Sequence, residues 1–214
     1  MHIERLELPS LPCEGAAIRL RSFEQQDLES YRHWMQPHHE WHLWDGPYYP
    51  RPTAEDIDRA VETLTARIDD QSAQEAQETS ASQPGIAPLP PHKLVIARVS
   101  DNSMVGTVGW YWESEETQWA RMGITVFDPQ VRGQGVGTEA LRLWTTFLFD
   151  ATPWVRLDYA TWSGNHAMVS VGRKLGFVEE ARFRNARIVR GEYFDSVVYG
   201  ILREEWASRG LSLT

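Results

Sequence analysis

Ile124-Thr125-Val126-Phe127-Asp128-Pro129-Gln130-Val131-Arg132-Gly133-Gln134-Gly135-Val136-Gly137-Thr138 carries the chain from the end of a strand into the start of a helix. On the upstream side, from about Gln118 to Phe127, Ala120, Met122, Ile124 and Val126 fall on one face with the period of two that marks a half-buried strand. Asp128-Pro129 ends that strand, since the residue before a proline is conformationally restricted and proline has no N–H to give to a ladder. Downstream, Val136, Ala140, Leu143, Trp144 and Phe147 recur at helical spacing, so a helix is expected from about Gly135 to Phe149.

Glycines hold alternate positions 133, 135 and 137 between the two elements. A tight strand-to-helix turn needs fewer. The start of a helix exposes unpaired backbone N–H groups and a partial positive charge, and glycine lets the main chain approach an anion closely. With Arg132 as a charged donor at the rim, the turn reads as a cradle for a pyrophosphate. A dinucleotide-binding turn is the competing reading, because Asp158 stands about twenty residues further on, where such folds place a ribose-binding acid. It fails on two counts: the third glycine of G-x-G-x-x-G would fall at Thr138, and the turn comes late in a mixed strand order.

Working outward, Ala17 to Phe23 alternates apolar and basic residues as a strand, and a helix is expected from about Glu24 to Met35, capped by Ser22. Gln36 to Pro50, rich in His, Trp, Tyr and Pro, reads as a loop. A second helix opens at Pro52 with Thr53 as its cap and Ile57, Val61, Leu64 and Ile68 at helical spacing. From Asp69 to Pro91 the composition turns to Gln, Ser, Ala, Glu and Pro and reads as a mobile insertion within one domain spanning 1–214. Strands follow at Lys93 to Val99 and Met104 to Trp112, then the deciding stretch, a strand at Val155 to Trp162 and a short helix from Asn165 to Leu175 stopped by Gly176. Two closing strands, about Phe177 to Ile188 and Tyr193 to Leu202, meet around Arg190-Gly191. This order is α+β rather than a series of βαβ units.

The 214 residues suit a single core, and 42% hydrophobic with 24% charged residues is the balance of a soluble globular chain. The apolar stretches are strand-sized and the first fifteen residues show no leader pattern, so neither a membrane nor export is expected and a cytoplasmic location follows. A formal net charge of −9 disfavours nucleic acid and suits a cationic substrate. Cys13, the single cysteine, has no disulfide partner. His38, His39 and His42 lie in a proline-bounded loop with no completing acid, so no metal is expected.

These motifs resemble the GNAT superfamily of N-acetyltransferases. Arg132-Gly133-Gln134-Gly135-Val136-Gly137 matches each fixed position of its Gln/Arg-x-x-Gly-x-Gly/Ala pyrophosphate motif, and Asn165 with Lys174-Leu175-Gly176-Phe177 is similar to the helix and strand that follow. Gly191-Glu192-Tyr193-Phe194-Asp195 and Glu205-Trp206 resemble the branch of ribosomal-protein N-terminal and spermidine acetyltransferases. The resemblance implies a splayed, mostly antiparallel mixed sheet flanked by helices, with acetyl-CoA as cofactor and a small polyamine-like amine or a protein N-terminus as acceptor. Pantetheine would lie along the main chain of Ile124, Thr125 and Val126, the pyrophosphate on the amides from Arg132 through Gly133, Gln134, Gly135, Val136 and Gly137 to Thr138, and Asn165 would bond the cofactor from the other side. Direct transfer in a ternary complex is implied, and a homodimer is compatible with it.

The positions that would carry acid and base chemistry depart from the family. Arg121 stands where many relatives have glutamate, Gly172 where a tyrosine often serves as the thiolate's acid, and Met168 where some members have serine. Glu113 as base and Tyr193 as proton donor are the substitutes this sequence offers. Trp41, Trp44 and Asp45 lie in the loop where relatives build the acceptor site, and aromatic walls with one carboxylate suit a cation. A non-catalytic acyl-CoA-binding module is the alternative. A third reading is a protein adaptor whose ten tryptophans mark an interface, which their burial decides.

Overall fold

The computed structural model describes residues 9–78 and 89–210. Among the described residues, eight strands form one sheet in the order β1-β2-β3-β4-β5-β6-β8-β7. The strands are β1 (Cys13–Glu14), β2 (Ile18–Arg21), β3 (Lys93–Arg98), β4 (Met104–Ser114), β5 (Trp119–Val126), β6 (Arg156–Trp162), β7 (Val178–Val189) and β8 (Glu192–Leu202). The helices are α1 (Asp27–Trp34), α2 (Ala54–Glu78), α3 (Val136–Ala151), α4 (His166–Leu175) and α5 (Arg203–Ala207). The sheet is mostly antiparallel and mixed, as expected. Its parallel pairing is β5 with β6, made through Ala120↔Leu157 and Arg121↔Asp158. Beyond Arg121 the two strands part: β5 continues beside β4 as far as Gly106↔Val126, while β6 stays with β8 as far as Trp162↔Ser196. The sheet is thus split down its middle.

The two faces of the sheet are covered by different helices. Val136, Ala140, Leu143, Trp144 and Phe147 of α3 are buried in a core with Ile18, Leu94, Met122 and Leu157. On the other face Tyr31 of α1 and Leu64 of α2 pack with Val95, Ala97 and Phe127. Burying side chains of this size contributes roughly 1.5–3 kcal/mol each, so alternation along the strands settles which face each helix covers. Five of the ten tryptophans, at 110, 144, 154, 162 and 206, are buried, and the interface reading of these residues loses its basis.

Several local expectations change. Helix α1 begins at Asp27 rather than Glu24, and Ser22 does not cap it. Asp27 is buried against Arg21, with Nη2 to Oδ1 at 2.9 Å, and its carboxylate accepts from the Glu24 N–H at 2.8 Å, which holds Glu24–Gln26 as a turn. Thr53 does cap α2: its hydroxyl oxygen accepts from the Asp56 N–H at 3.2 Å while Asp56 accepts from the Thr53 N–H at 3.0 Å. Helix α2 runs on to Glu78, so 69–78 of the expected connection are helical, and 79–88 lie outside the described residues. No helix among the described residues is long and apolar enough to cross a membrane.

Cys13 lies in β1 with its side chain in the core. Burial, reinforced by the Asp150 carboxylate, pushes its thiol up to about 11. Because the thiolate is the reactive form, Ellman's reagent at pH 8 should label native protein at least about tenfold more slowly than unfolded protein. Equal rates would show the thiol to be accessible.

Candidate functional site

The gap between β5 and β6 opens into a cavity of about 620 Å³. Its floor includes Ile124, Thr125 and Val126, whose main chain β6 leaves uncovered on that side. One wall is the turn into α3, with Arg132, Gly133, Gly135, Gly137 and Thr138; the opposite wall includes Asn165 and Met168. Trp41, Trp44 and Asp45 close it from the α1–α2 side. Three parts of the chain expected to form the site therefore meet at one cavity.

The turn is built for close approach. Gly133 and Gly135 have φ of 75° and 89°, a region L side chains enter only with strain, and a Cβ at either would project into open space with nothing within 4 Å. Gly135 is the N-cap of α3, so the first N–H groups of a sixteen-residue helix lie just beyond it. Glu139, the acid in that first turn, is engaged elsewhere: it accepts from the N–H groups of Ala16 and Ala17, the latter at 3.2 Å. It is thereby held by main chain rather than left facing an anion. The Gln134 side chain donates to the Gln130 carbonyl at 2.6 Å and that of Val136 is buried in the core, so both serve the turn through their main chain. Arg132 donates to the Phe127 carbonyl at 3.3 Å and lies 3.4 Å from Glu40, which ties the turn to the end of β5 and to the Glu40–Leu43 3-10 turn. Glu40 also lines the cavity and was not anticipated from the sequence.

Asn165 caps α4, its Oδ1 accepting from the Met168 N–H at 3.2 Å, and its Nδ2 donates to the Trp44 carbonyl at 3.2 Å. Trp162 Nε1 donates to the same carbonyl at 2.9 Å. The loop carrying Trp44 is thus tied across the split to β6 and α4. Within it, the Trp44 and Asp45 N–H groups donate to the Trp41 carbonyl at 3.0 and 3.1 Å, and Trp41 Nε1 donates to the Trp34 carbonyl at 2.7 Å. Asp45 accepts from the Thr125 hydroxyl at 2.6 Å. Surrounding protein strips hydration from this carboxyl and raises its pKa, an effect the Thr125 hydrogen bond opposes.

Glu113 and Tyr193 are not in the cavity wall. Glu113, at the far end of β4, is paired with Arg121 at 2.8 Å. Arg121 in turn pairs with Asp158 at 2.7 Å, where β5 and β6 still touch. Tyr193 is 64% exposed on β8. His42 is buried, stacked on Trp41 with ring centroids 3.7 Å apart, and its Nε2 lies 3.2 Å from the Gln36 carbonyl. No group of three or more metal-ligating side chains occurs among the described residues.

Tyr159 explains Gly172. A Cβ at Gly172 would lie 1.9 Å from the Tyr159 hydroxyl, which donates to the Met168 carbonyl at 3.1 Å beside the cavity. A glycine inside a helix costs roughly 0.5–1 kcal/mol against alanine, and that cost was the readable sign of a close neighbour.

Comparison with known proteins agrees with this geometry. Residues 17–178 match the family model described as an acetyltransferase (GNAT) domain. The SPbeta prophage-derived uncharacterized N-acetyltransferase YokL of Bacillus subtilis (strain 168) is 28% identical over 111 residues, 52% of this chain and 62% of that protein. The chain therefore spans under two thirds of that relative's length. Among solved structures, a GNAT-family acetyltransferase from Bacillus anthracis superposes with a TM-score of 0.66 at 17% identity, covering 90% of this chain and 98% of that one. Spermidine N-acetyltransferase from Vibrio cholerae, in complex with CoA and spermine, superposes with a TM-score of 0.65 at 15% identity, covering 89% and 98%. A split sheet, a glycine turn that opens a helix into the split, and a match over most of the chain together make it a member of the acetyltransferase (GNAT) domain family.

Proposed function

We propose that this chain is an acetyl-CoA-dependent N-acetyltransferase that moves an acetyl group onto a primary amine, a small polyamine-like amine or a protein N-terminus, by direct transfer in a ternary complex. The observation that carries the reading is the one cavity in which the stretch of β5 left uncovered by β6 and the open N-terminus of α3 meet the Trp44–Asp45 loop. The residues fit the cofactor: Gly133 and Gly135 leave vacant the space a Cβ would fill, where a pyrophosphate can rest on helix N–H groups. Ile124, Thr125 and Val126 offer main-chain partners to a pantetheine arm, and Asn165 stands in the facing wall. Acetyl-CoA would supply the thioester-bound acetyl group. The chain's own work is to align the two reactants, a contribution that reaches 7–11 kcal/mol in favourable cases, roughly.

An acidic, aromatic-edged loop favours a cationic acceptor, and the Vibrio cholerae neighbour holding spermine supports that choice. A cytoplasmic location belongs to the same reading. Purified protein incubated with acetyl-CoA and a panel of primary amines should release free thiol in step with amine, at on the order of 1 per second or faster for its preferred acceptor. Tight coenzyme A binding without turnover on any amine would instead establish a non-catalytic acyl-CoA-binding module, the reading that Arg121, held by Glu113 and Asp158 where relatives have a glutamate, favours.

A further inference from the structure

We propose that Asp45 is the carboxylate that receives the acceptor's ammonium group and takes the proton it must lose before transfer; this rests on the acetyltransferase reading of the cavity. Among the described residues, two carboxylates line the cavity wall, Glu40 and Asp45. Glu40 is occupied by Arg132 at the phosphate end and by the indole N–H of Trp44 at 3.4 Å. Asp45 has no cationic partner within ion-pair distance among the described residues and accepts from the Thr125 hydroxyl at 2.6 Å. Asp45 is among the exposed residues of the chain and lines the cavity, so its carboxylate is open to an incoming cation. An ammonium can therefore pair with it without displacing a cation already held there.

Position supports the same role. Thr125 is the middle residue of the β5 stretch whose main chain β6 leaves free, so the carboxylate stands over the strand that would carry the acyl arm. Its backbone is fixed through Trp41, and the neighbouring Trp44 carbonyl is fixed by Trp162 and Asn165. A base whose main chain is anchored in this way keeps its geometry without reorganising. The charged and titratable groups that act on Asp45 are His42 and Tyr48 from its own loop and Lys93 from β3, with Arg187 of β7 beyond Tyr48. Lys93 is turned to the Tyr31 hydroxyl at 3.2 Å.

The ammonium gives one proton to Asp45, and the nitrogen lone pair forms the new N–C bond at the thioester carbonyl carbon. The C–S bond breaks with its electron pair going to sulfur, the second nitrogen proton ends on the departing thiol, and Asp45 returns its proton to water. An alkyl amine with a pKa near 10.4 needs this help at neutral pH, whereas a peptide α-amine, near 7.7–8.0, is already neutral at pH 9.

Asp45→Asn separates these cases. With 1,4-diaminobutane at pH 7.5 the variant should lose about 100-fold or more in kcat/KM. With alanine amide at pH 9 the loss should shrink to within about tenfold. Calorimetry without acetyl donor should show 1,4-diaminobutane binding to the coenzyme A-bound protein weakened in the variant, with coenzyme A affinity within twofold of the parent. Asp45→Glu, which keeps the carboxylate, should recover part of the activity and serves as the second variant should Asp45→Asn melt early. Equal losses for both amines, or a fall in coenzyme A affinity, would make Asp45 a structural anchor and overturn the proposal while leaving the acetyltransferase reading intact. A parent protein inactive on every amine would sink both.

Discussion

Gly135→Val should bind coenzyme A at least about 100-fold more weakly than the parent protein while melting no more than about 12 °C lower. The substitution acts twice. At φ 89° a β-branched residue is strained by roughly 1–3 kcal/mol, and for a chain of this size each kcal/mol moves the melting point by about 2–4 °C. The larger effect is on the ligand: the Cβ built at Gly135 meets nothing within 4 Å, so the new side chain stands in the space through which an anion would reach the first N–H groups of α3. Hydrogen bonds to a charged group contribute roughly 1.5–3 kcal/mol each, so losing one or two accounts for a hundredfold. Gly137→Ala is the contrast. Gly137 lies inside α3, without positive φ, and its Cβ would sit 3.9 Å from Val171, an ordinary contact. It should weaken binding far less. Isothermal titration with coenzyme A reads both variants, and parental affinity in Gly135→Val would remove the turn from the phosphate site.

That turn was legible because glycine spacing, a strand and an amphipathic helix all pointed to one geometry. The period-two and 3.6-residue patterns likewise placed most of β2 to β8 and the four longer helices, which bury one face, whereas β7 buries only Val189. Sequence failed where structure depended on something other than a buried face. The run after Asp69 has almost no large apolar residues and reads as a connection, yet its Ala, Gln and Glu are strong helix formers, and α2, once nucleated at Thr53, extends through them to Glu78. Strand β1 has two residues and leaves no period to detect. Asp45 and Thr125 are eighty positions apart, and nothing local announces that they touch. Glu113 showed the converse: a carboxylate ending a strand toward the acceptor side looked available until Arg121 was seen to hold it.

Asp158→Ala should lower stability by about 3 kcal/mol and the melting point by roughly 6–12 °C, because the donors it buries lose their acceptor although Arg121 keeps Glu113 and Arg156 keeps Glu180. Asp158 is 0% exposed. Its carboxylate accepts from Trp119 Nε1 at 2.5 Å, from Arg121 Nε at 2.7 Å and from Arg156 Nη2 at 3.3 Å. These donors come from β5 and β6 at the register where the parallel pairing is made, immediately before the strands part. Two ladder pairs would join the halves of the sheet weakly by themselves. The buried carboxylate joins them through side chains, and so fixes the apex from which the cavity opens. Asp158→Asn, which keeps the shape and one acceptor oxygen but not the charge, should fall between parent and alanine. Glu113→Gln, on the same arginine with a side chain 34% exposed, should cost about 1 kcal/mol or less. If the apex sets the width of the split, coenzyme A affinity should follow stability across this series, weakest in Asp158→Ala, although Asp158 itself is absent from the cavity wall. Urea unfolding read beside coenzyme A titration checks both effects, and a stable Asp158→Ala protein would show that the two halves hold together without this carboxylate.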